Sequence, residues 1–174
     1  MSYEGSPYWF AVQVKTHQET PVARALQVKG YEAFVPTYQV KRRWSDRAKV
    51  FDLPLFPTYA FCRFDPEIRH KIVSTPGVRG IVGFGKGPVP ISDTEIQSLK
   101  IVQASTLRCT PSPFLNAGQR VEIVSGSLAG VKGSIISRNN RKHVMISIEL
   151  INACAIVDIE DVEAPAHTGN IAAA

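Results

Sequence analysis

The fold of this chain is decided by residues 53–64, which read Leu53-Pro54-Leu55-Phe56-Pro57-Thr58-Tyr59-Ala60-Phe61-Cys62-Arg63-Phe64. From Thr58 onward the stretch is rich in aromatic residues, apolar on both alternating faces and free of Gly and Pro, which is typical of a β-strand. Because both faces of such a strand must be covered, we predict that it lies centrally in a sheet with helices or a loop over it.

Two large apolar residues, Leu55 and Phe56, precede this strand and stand between Pro54 and Pro57. Proline lacks the amide donor that a central strand requires, so the pair is predicted to lie in a loop or an edge segment. Apolar side chains on such a stiff loop either fold back onto the core or are offered to a partner. The residues alone leave both alternatives open.

The composition is that of an ordinary globular protein, because 44% of the 174 residues are hydrophobic and 20% are charged. The formal net charge of +5 is unevenly distributed: residues 1–105 hold 14 Lys and Arg against 9 Asp and Glu, and the remainder holds 6 against 6. The excess of positive charge in the first part indicates contact with a polyanion or simply a solvated basic surface.

The three cysteines are odd in number, far apart and without Cys-x-x-Cys spacing. This pattern predicts a reducing compartment, with neither a disulfide framework nor a thiolate metal site. The first residues do not lead from a basic segment into an apolar run, and no stretch is long enough to span a bilayer. We therefore expect a cytoplasmic protein with no signal peptide and no membrane contact.

Local signals predict the elements of the first part of the chain. Residues 8–14 are aromatic and β-branched and predict a strand. Thr20-Pro21 predicts a helix beginning, with a hydroxyl cap followed by proline, and Gly30 predicts its end. Asp65-Pro66-Glu67 predicts a second helix, and the capping box Ser92-Asp93-Thr94-Glu95 predicts a third.

Residues 31–40 predict a second strand, interrupted at Pro36, and a basic run lies between it and the stretch quoted first. It reads Lys41-Arg42-Arg43-Trp44-Ser45-Asp46-Arg47-Ala48-Lys49 and is predicted to be a projecting hairpin with its turn at Ser-Asp. Cations with an interleaved tryptophan suit phosphates and a stacked base. A solvated hairpin without a ligand is the alternative.

The character of the chain changes after residue 105. Residues 106–116 contain Pro111-Ser112-Pro113 and predict a domain linker. Short alternating strands and a glycine-punctuated turn then predict a small all-β barrel over residues 117–165. Residues 166–174 lack core residues and are predicted to be a flexible tail.

Taken in this order and spacing, the segments resemble the NusG family of transcription elongation factors. The first part is similar to the NusG N-terminal (NGN) domain in Trp9-Phe10-Ala11-Val12-Gln13, Phe34-Val35-Pro36-Thr37, Phe56-Pro57-Thr58-Tyr59 and Pro90-Ile91-Ser92-Asp93. The last part is similar to a KOW module in Gly118-Gln119-Arg120-Val121 and in residues 126–133. The resemblance implies an α+β NGN domain (1–105), mostly an antiparallel sheet flanked by helices, followed by an SH3-like KOW barrel.

Within the family, residues 54–61 and 64–67 are more similar to specialised paralogues such as RfaH than to general NusG proteins. General NusG proteins carry a Phe-Gly-Arg loop, associated with contacts to the termination factor Rho, where this chain has Leu150-Ile151-Asn152. The KOW domain of RfaH can also refold into a helical hairpin. This chain keeps the full glycine turn and is rich in Ile and Val, so we predict a plain β barrel.

The resemblance implies an elongation and antitermination factor that binds the clamp helices of bacterial RNA polymerase and suppresses pausing or termination. The implied polymerase-binding residues are Gln13, Phe56, Tyr59, Phe61, His70 and Lys71. The candidates for contact with the non-template DNA strand or upstream DNA are Arg42, Arg43, Trp44 and Arg79. The residues at the position where relatives contact NusE, a ribosomal small-subunit protein, are Leu150 and Ile151, which alternatively cap the barrel core.

Two other interpretations stay open. One is a general housekeeping NusG, and the other is a ribosome- or RNA-binding KOW protein, although the latter requires a basic barrel and this one is near neutral. An enzyme requires a convergent site, but the histidines have no metal spacing and Cys62 has no histidine nearby in sequence to activate it. We expect a monomer without enzymatic activity, cofactor or metal.

Overall fold

The computed structural model describes residues 7–44, 47–85, 87–105, 107–113, 119–138 and 141–158. In chain order, its first part contains β1 (Tyr8–Val14), α1 (Glu19–Val28), β2 (Glu32–Phe34), β3 (Thr37–Trp44), β4 (Arg47–Pro54), β5 (Tyr59–Phe64), α2 (Arg69–Val73), β6 (Val78–Ile81), β7 (Gly83–Phe84), β8 (Gly87–Pro88) and α3 (Asp93–Ala104). The second part contains β9 (Cys109–Pro113), β10 (Gln119–Glu122), β11 (Lys132–Arg138), β12 (Arg141–Ile148) and β13 (Ala153–Asp158). Short 3₁₀ turns, Pro66–Ile68 and Glu149–Ile151, precede α2 and follow β12.

The N-terminal sheet has the strand order β2-β5-β1-β6, and every neighbouring pair is antiparallel. The strand predicted from residues 58–64 is β5, which lies between β1 and β2 as expected of a central strand. Two hairpins stand apart from this sheet: β3 pairs only with β4, and β7 pairs only with β8. The α+β fold class is confirmed.

The two faces of the N-terminal sheet bury different side chains, because neighbouring residues along a strand point to opposite faces. One face packs against α1 and α2, and its core includes Phe10, Val12, Leu26, Ala60, Phe64 and Ile72. The other face carries Trp9, Ala11 and Phe61, and it packs against α3 and the C-terminal part of the chain. We call this second, mixed cluster the shared core.

The C-terminal sheet has the strand order β10-β11-β12-β13-β9 and is antiparallel throughout, which confirms the all-β prediction for this part. Gly133 in β11 is required there, because a Cβ atom would lie 2.5 Å from the backbone oxygen of Met145 on β12. The predicted tail, 166–174, lies outside the described residues.

The proline-containing stretch predicted as a linker is partly a strand, since residues 109–113 form β9 at the edge of the C-terminal sheet. Asp158 donates its amide hydrogen to the Arg108 carbonyl oxygen. The backbone amide and carbonyl groups of every second residue of β9 therefore point toward β13, and those of the residues between them point away from the sheet. Pro111 and Pro113 take outward positions, where a missing amide donor breaks no ladder hydrogen bond. Proline therefore marks a sheet edge here.

The helix starts were predicted with mixed success. Asp65 accepts the amide of Glu67 at 2.9 Å, and Ser92 with Glu95 forms the predicted capping box of α3. The predicted start of α1 at Thr20 is wrong, because the helix begins at Glu19 after Gln18. The carboxylate of Glu19 is bound by another segment, and Pro21 is tolerated because first-turn amides have no helical acceptor.

Candidate functional site

The loop between β4 and β5 is held at both ends by backbone hydrogen bonds. Leu55 donates to the carbonyl of Pro36 at 2.8 Å, and the carbonyl of Thr58 accepts from Val14 at 2.8 Å. Thr58 has a φ of 68°, which is unusual for a β-branched residue and directs the chain into β5. We call residues 55–58 the docking loop.

One buried carboxylate supports the strained end of the docking loop. Glu19 is 5% exposed, and its Oε1 accepts the amide hydrogen of Thr58 at 2.7 Å. The sequence analysis missed this residue because the two partners lie 39 positions apart and no local pattern connects them.

Phe56 and Phe61, two predicted polymerase-binding residues, are both buried. Their exposed fractions are 2% and 0%, and their rings meet edge to face with centroids 5.9 Å apart. The structure thus decides between the two alternatives for the docking loop: Leu55 and Phe56 pack onto a core. That core, however, is the shared core, so part of their cover is the C-terminal sheet.

Gln13 and Tyr59 lie beside this aromatic pair as direct cross-strand partners on β1 and β5. Gln13 is exposed, whereas Tyr59 is half-buried and packs against the shared core. The structure therefore brings the four sequence-predicted residues of this surface together on one side of the N-terminal sheet, with an accessible rim and a covered centre.

A cavity of about 290 Å³ separates the docking loop from the C-terminal sheet. Its lining from the N-terminal part consists of Leu55, Phe56, Pro57 and Tyr59, and its lining from the C-terminal part consists of Pro111, Ser112, Ala153 and Cys154. The cleft is open to solvent and mostly apolar, so the docking loop and the edge of the C-terminal sheet form its two walls.

Helix α3 belongs to the N-terminal part on one side and contacts the C-terminal sheet on the other. Lys100 binds the Glu32 carboxylate at 2.6 Å and lies over the Trp9 ring at 4.7 Å, which fixes the helix to the N-terminal sheet. Ser98 is fully buried, and its Oγ accepts the amide hydrogen of Lys132 on β11 at 2.9 Å. This hydrogen bond directly joins the two parts.

Leu150 and Ile151, the predicted NusE-binding residues, lie in the 3₁₀ turn after β12. Both are half-buried against the shared core, which also contains the docking loop. The neighbouring Glu149 lies close enough to Glu95 in α3 to influence its ionisation. Burial is the main reason that the pKa of Glu95 is raised above 4.5, and the nearby Glu149 charge raises it further.

His70 and Lys71 are exposed on α2, which packs on the opposite face of the N-terminal sheet from the docking loop. The Lys71 carbonyl oxygen accepts from the Lys29 ammonium at 3.3 Å, so the backbone of this short helix is anchored to α1. The structure therefore places these two residues on a second surface, away from Phe56.

The predicted nucleic-acid-binding residues are divided between two places. Arg42 and Arg43 are exposed on β3, and Trp44 pairs with Arg47 at the end of the β3–β4 hairpin. Arg79 is exposed on β6, the edge strand farthest from β2 in the N-terminal sheet. Arg42 and Arg43 are neighbours on one strand but point to opposite faces of the hairpin, and Arg79 lies on a strand of a different sheet.

Phe84 is an exposed aromatic residue that the sequence analysis did not single out. It is 72% exposed at the end of β7, between two glycines. An aromatic residue in a glycine-rich hairpin has little side-chain packing available from its neighbours, and this pattern is the signal that would have identified it.

Metal-ligand clusters and reactive thiols are two chemical features that the described residues lack. They include no group of three side chains that could hold a metal ion. Burial raises the pKa of the Cys62 and Cys109 thiols to about 12, so neither forms a reactive thiolate near neutral pH. Within the same part of the chain, no helix is long and apolar enough to cross a membrane.

Comparison with known proteins identifies similar chains. Residues 7–100 match the family model described as transcription termination factor NusG. The NusG transcription termination/antitermination protein of Thermus thermophilus is 29% identical over 164 residues, which cover 80% of this chain and 89% of the relative. That of Helicobacter pylori is 28% identical over 141 residues, covering 73% and 79%. A structure reported for domain interaction in Thermotoga maritima NusG is 22% identical, covers 87% of this chain and 92% of its own, and has a TM-score of 0.48.

Proposed function

This chain belongs to the NusG family, and from that premise we propose that it is a transcription termination/antitermination factor that binds the clamp helices of bacterial RNA polymerase. We place its action in the bacterial cytoplasm, where it suppresses pausing or termination. The observation that carries the proposal is the aromatic side of the N-terminal sheet, which is partly covered by a separate sheet of the same chain. A surface with a removable cover is suited to exchanging that cover for a partner.

The docking loop supplies the affinity in this proposal. Phe56, Tyr59 and Phe61 are large rings on a rigid sheet and loop, and such anchors cost about 2 kcal/mol or more of binding energy when truncated. A factor that binds the closed polymerase clamp more tightly than the open, paused form shifts the polymerase toward elongation. His70 and Lys71, on the opposite face, are proposed to contact the second jaw of the polymerase.

Polymerase binding requires the C-terminal sheet to move away from the docking loop. Leu150 and Ile151 pack against the same shared core, so one movement exposes the surface proposed for the polymerase and the surface proposed for NusE. The observed apparent affinity is then the intrinsic affinity reduced by the fraction of molecules that are open.

The nucleic-acid contacts in this proposal are electrostatic. Arg42 on the hairpin and Arg79 on β6 are exposed and approach phosphates of the non-template strand or upstream DNA. Such contacts weaken steeply with salt because neutralised phosphates release their counterions.

The proposal is tested by measuring binding to core RNA polymerase and to an isolated clamp-helix fragment. Phe56→Ala is a poor probe because Phe56 is buried and its loss also opens a cavity in the core. The double variant Gln13→Ala/Tyr59→Ala removes an exposed and a half-buried side chain of the same surface. We expect its affinity to fall about 10-fold or more, which corresponds to about 1.4 kcal/mol.

Gln97→Ala, an exposed glutamine on α3, is the matched control for the glutamine substitution. Thermal melting of all variants separates lost binding from lost folding. Unchanged polymerase affinity of a folded Gln13→Ala/Tyr59→Ala variant would show that this surface does not bind the clamp.

A general NusG function is the second candidate, because the similar proteins from Thermus and Helicobacter are both named as NusG termination/antitermination proteins. We favour a specialised paralogue because Leu150-Ile151-Asn152 stands where general members carry Phe-Gly-Arg. In vitro transcription over a Rho-dependent terminator distinguishes the two: a general NusG promotes Rho-dependent release, and a specialised paralogue does not.

A further inference from the structure

The pairing register of the β3–β4 hairpin sorts its basic residues onto two different faces. Arg42 lies directly opposite Lys49, and Val40 lies opposite Phe51. Directly opposed residues in an antiparallel pair share a face, and so do residues two positions apart along a strand. These four residues therefore form one face, which we call the ring face, while Arg43 lies on the other side.

The ring face combines accessible positive charge with an accessible aromatic ring. Arg42 and Lys49 are both exposed, and Phe51 is 37% exposed although it is a large apolar residue in a two-stranded hairpin. The Lys49 ammonium lies 5.4 Å from the centroid of the Phe51 ring. A positive charge held next to an open ring is the combination that a phosphate and its neighbouring base require.

The opposite face of the hairpin has charge but a different chemistry. Lys41 and Arg43 are exposed there, together with the aliphatic Val50 and the carboxylate of Asp52. Aliphatic side chains offer no flat surface for a base, and the carboxylate repels phosphates. Both faces thus carry exposed Lys and Arg, but among the described side chains of the hairpin the opposite face has no ring beside them.

The ring face also lies on the same side of the molecule as the docking loop. Tyr38, two positions before Val40, packs against the shared core that contains Phe56. Nucleic acid on the ring face would therefore run alongside the surface proposed for the polymerase.

We propose that the ring face is a binding site for single-stranded nucleic acid. The Arg42 and Lys49 side chains pair with backbone phosphates, and a base stacks on the Phe51 ring. This proposal rests on the proposed function for its biological setting and deepens that function. The ring face would select single strands over duplex, because only unpaired bases present a free face for stacking. The proposal also moves the contact from Arg43 to the other side of the hairpin.

The test is fluorescence anisotropy of a labelled, mixed-sequence single-stranded DNA 12-mer with the full chain at low salt. Phe51→Leu keeps the apolar contact with Val40 but removes the ring, and we expect about 10-fold weaker single-strand binding with little change for a duplex of the same sequence. Val50→Ala is the matched control on the opposite face.

Two double variants that remove the same charge separate specific from general attraction. Arg42→Ala/Lys49→Ala is expected to weaken binding and to reduce the slope of log affinity against log salt by about 1.4, or about 0.7 for each lost phosphate contact. Lys41→Ala/Arg43→Ala is expected to change the slope by less than half as much.

Equal effects of the two double variants, unchanged affinity of Phe51→Leu, or no saturable binding by the wild-type chain would each overturn the proposal. An RNA 12-mer of the same sequence shows which single strand is preferred. The assay contains no polymerase. A negative result would therefore contradict the nucleic-acid site without testing clamp binding, and loss of clamp binding would not contradict a positive result here.

Discussion

At the scale of single residues, Glu19 shows how a distant side chain shapes the surface that carries the proposed activity. Its buried carboxylate accepts the amide hydrogen of Thr58, whose backbone has a positive φ. Glu19→Ala would leave this part-buried donor without an acceptor, and we expect the free energy of unfolding to fall by about 1–3 kcal/mol. Urea denaturation followed by circular dichroism measures the change.

Glu19→Gln retains a carbonyl acceptor and is expected to recover most of the lost stability. Glu67→Ala, an exposed glutamate in the turn before α2, is the control for a surface glutamate substitution. If Glu19→Ala is as stable as the control, the hydrogen bond does not hold the docking loop.

At the scale of elements, α3 carries a carboxylate whose ionisation opposes folding. Burial is the main reason that the pKa of Glu95 lies above its ordinary value of 4.5 in the folded chain. Because the pKa is raised in the folded state, the protonated Glu95 side chain contributes fully to stability at pH values below 4.5. This contribution is lost as the pH rises through the folded-state pKa. The stability of Glu95→Gln relative to the wild type should therefore increase with pH.

Denaturation of both proteins at a series of pH values, beginning below 4.5 and rising, checks this sign. Glutamine keeps an acceptor for the Ser92 amide, so the capping box survives the substitution. Asp93→Asn removes a negative charge from the same helical turn and serves as the control. A relative stability that falls with pH would contradict the prediction.

At the scale of the whole molecule, the contact between the two parts is predicted to control access to the docking loop. Ser98→Ala removes the acceptor of the part-buried hydrogen bond from the Lys132 amide, which exists only while the two parts are in contact. A loss of about 1–3 kcal/mol from the closed form would raise the ratio of open to closed molecules about 5- to 150-fold. Where the closed form dominates, the apparent affinity for RNA polymerase should rise by the same factor.

Ser74→Ala, an exposed serine after α2, is the matched control for this experiment. Polymerase affinity is measured by titration at equilibrium, with melting curves to confirm that both variants fold. An unchanged affinity for Ser98→Ala would mean that the contact between the parts does not limit binding.

Much of the fold was predictable because its signals are local. The central position of β5 follows from its unbroken apolar character, and the α3 start follows from a capping box that four adjacent residues complete. The start of α1 was mispredicted because Thr20-Pro21 is a good local capping signal, whereas the helix begins at Glu19 without a side-chain cap. The hydrogen bond from Thr58 to Glu19 joins residues 39 positions apart, so no local pattern shows it. Strand β9 was missed because proline usually excludes strands, except at outward-facing edge positions.

The sequence by itself determined most of the strands, two of the helix starts, the basic hairpin and the family. Each of these depends on residue types at short spacing. Only the tertiary structure decided that Phe56 and Phe61 are covered, that Leu150 and Ile151 share that cover, and that Arg42 and Arg43 lie on opposite faces. The burial of Phe56 and Phe61 depends on packing between residues about 100 positions apart. The faces taken by Arg42 and Arg43 depend on the pairing register of the hairpin, and a slip of one residue would move every side chain to the other face.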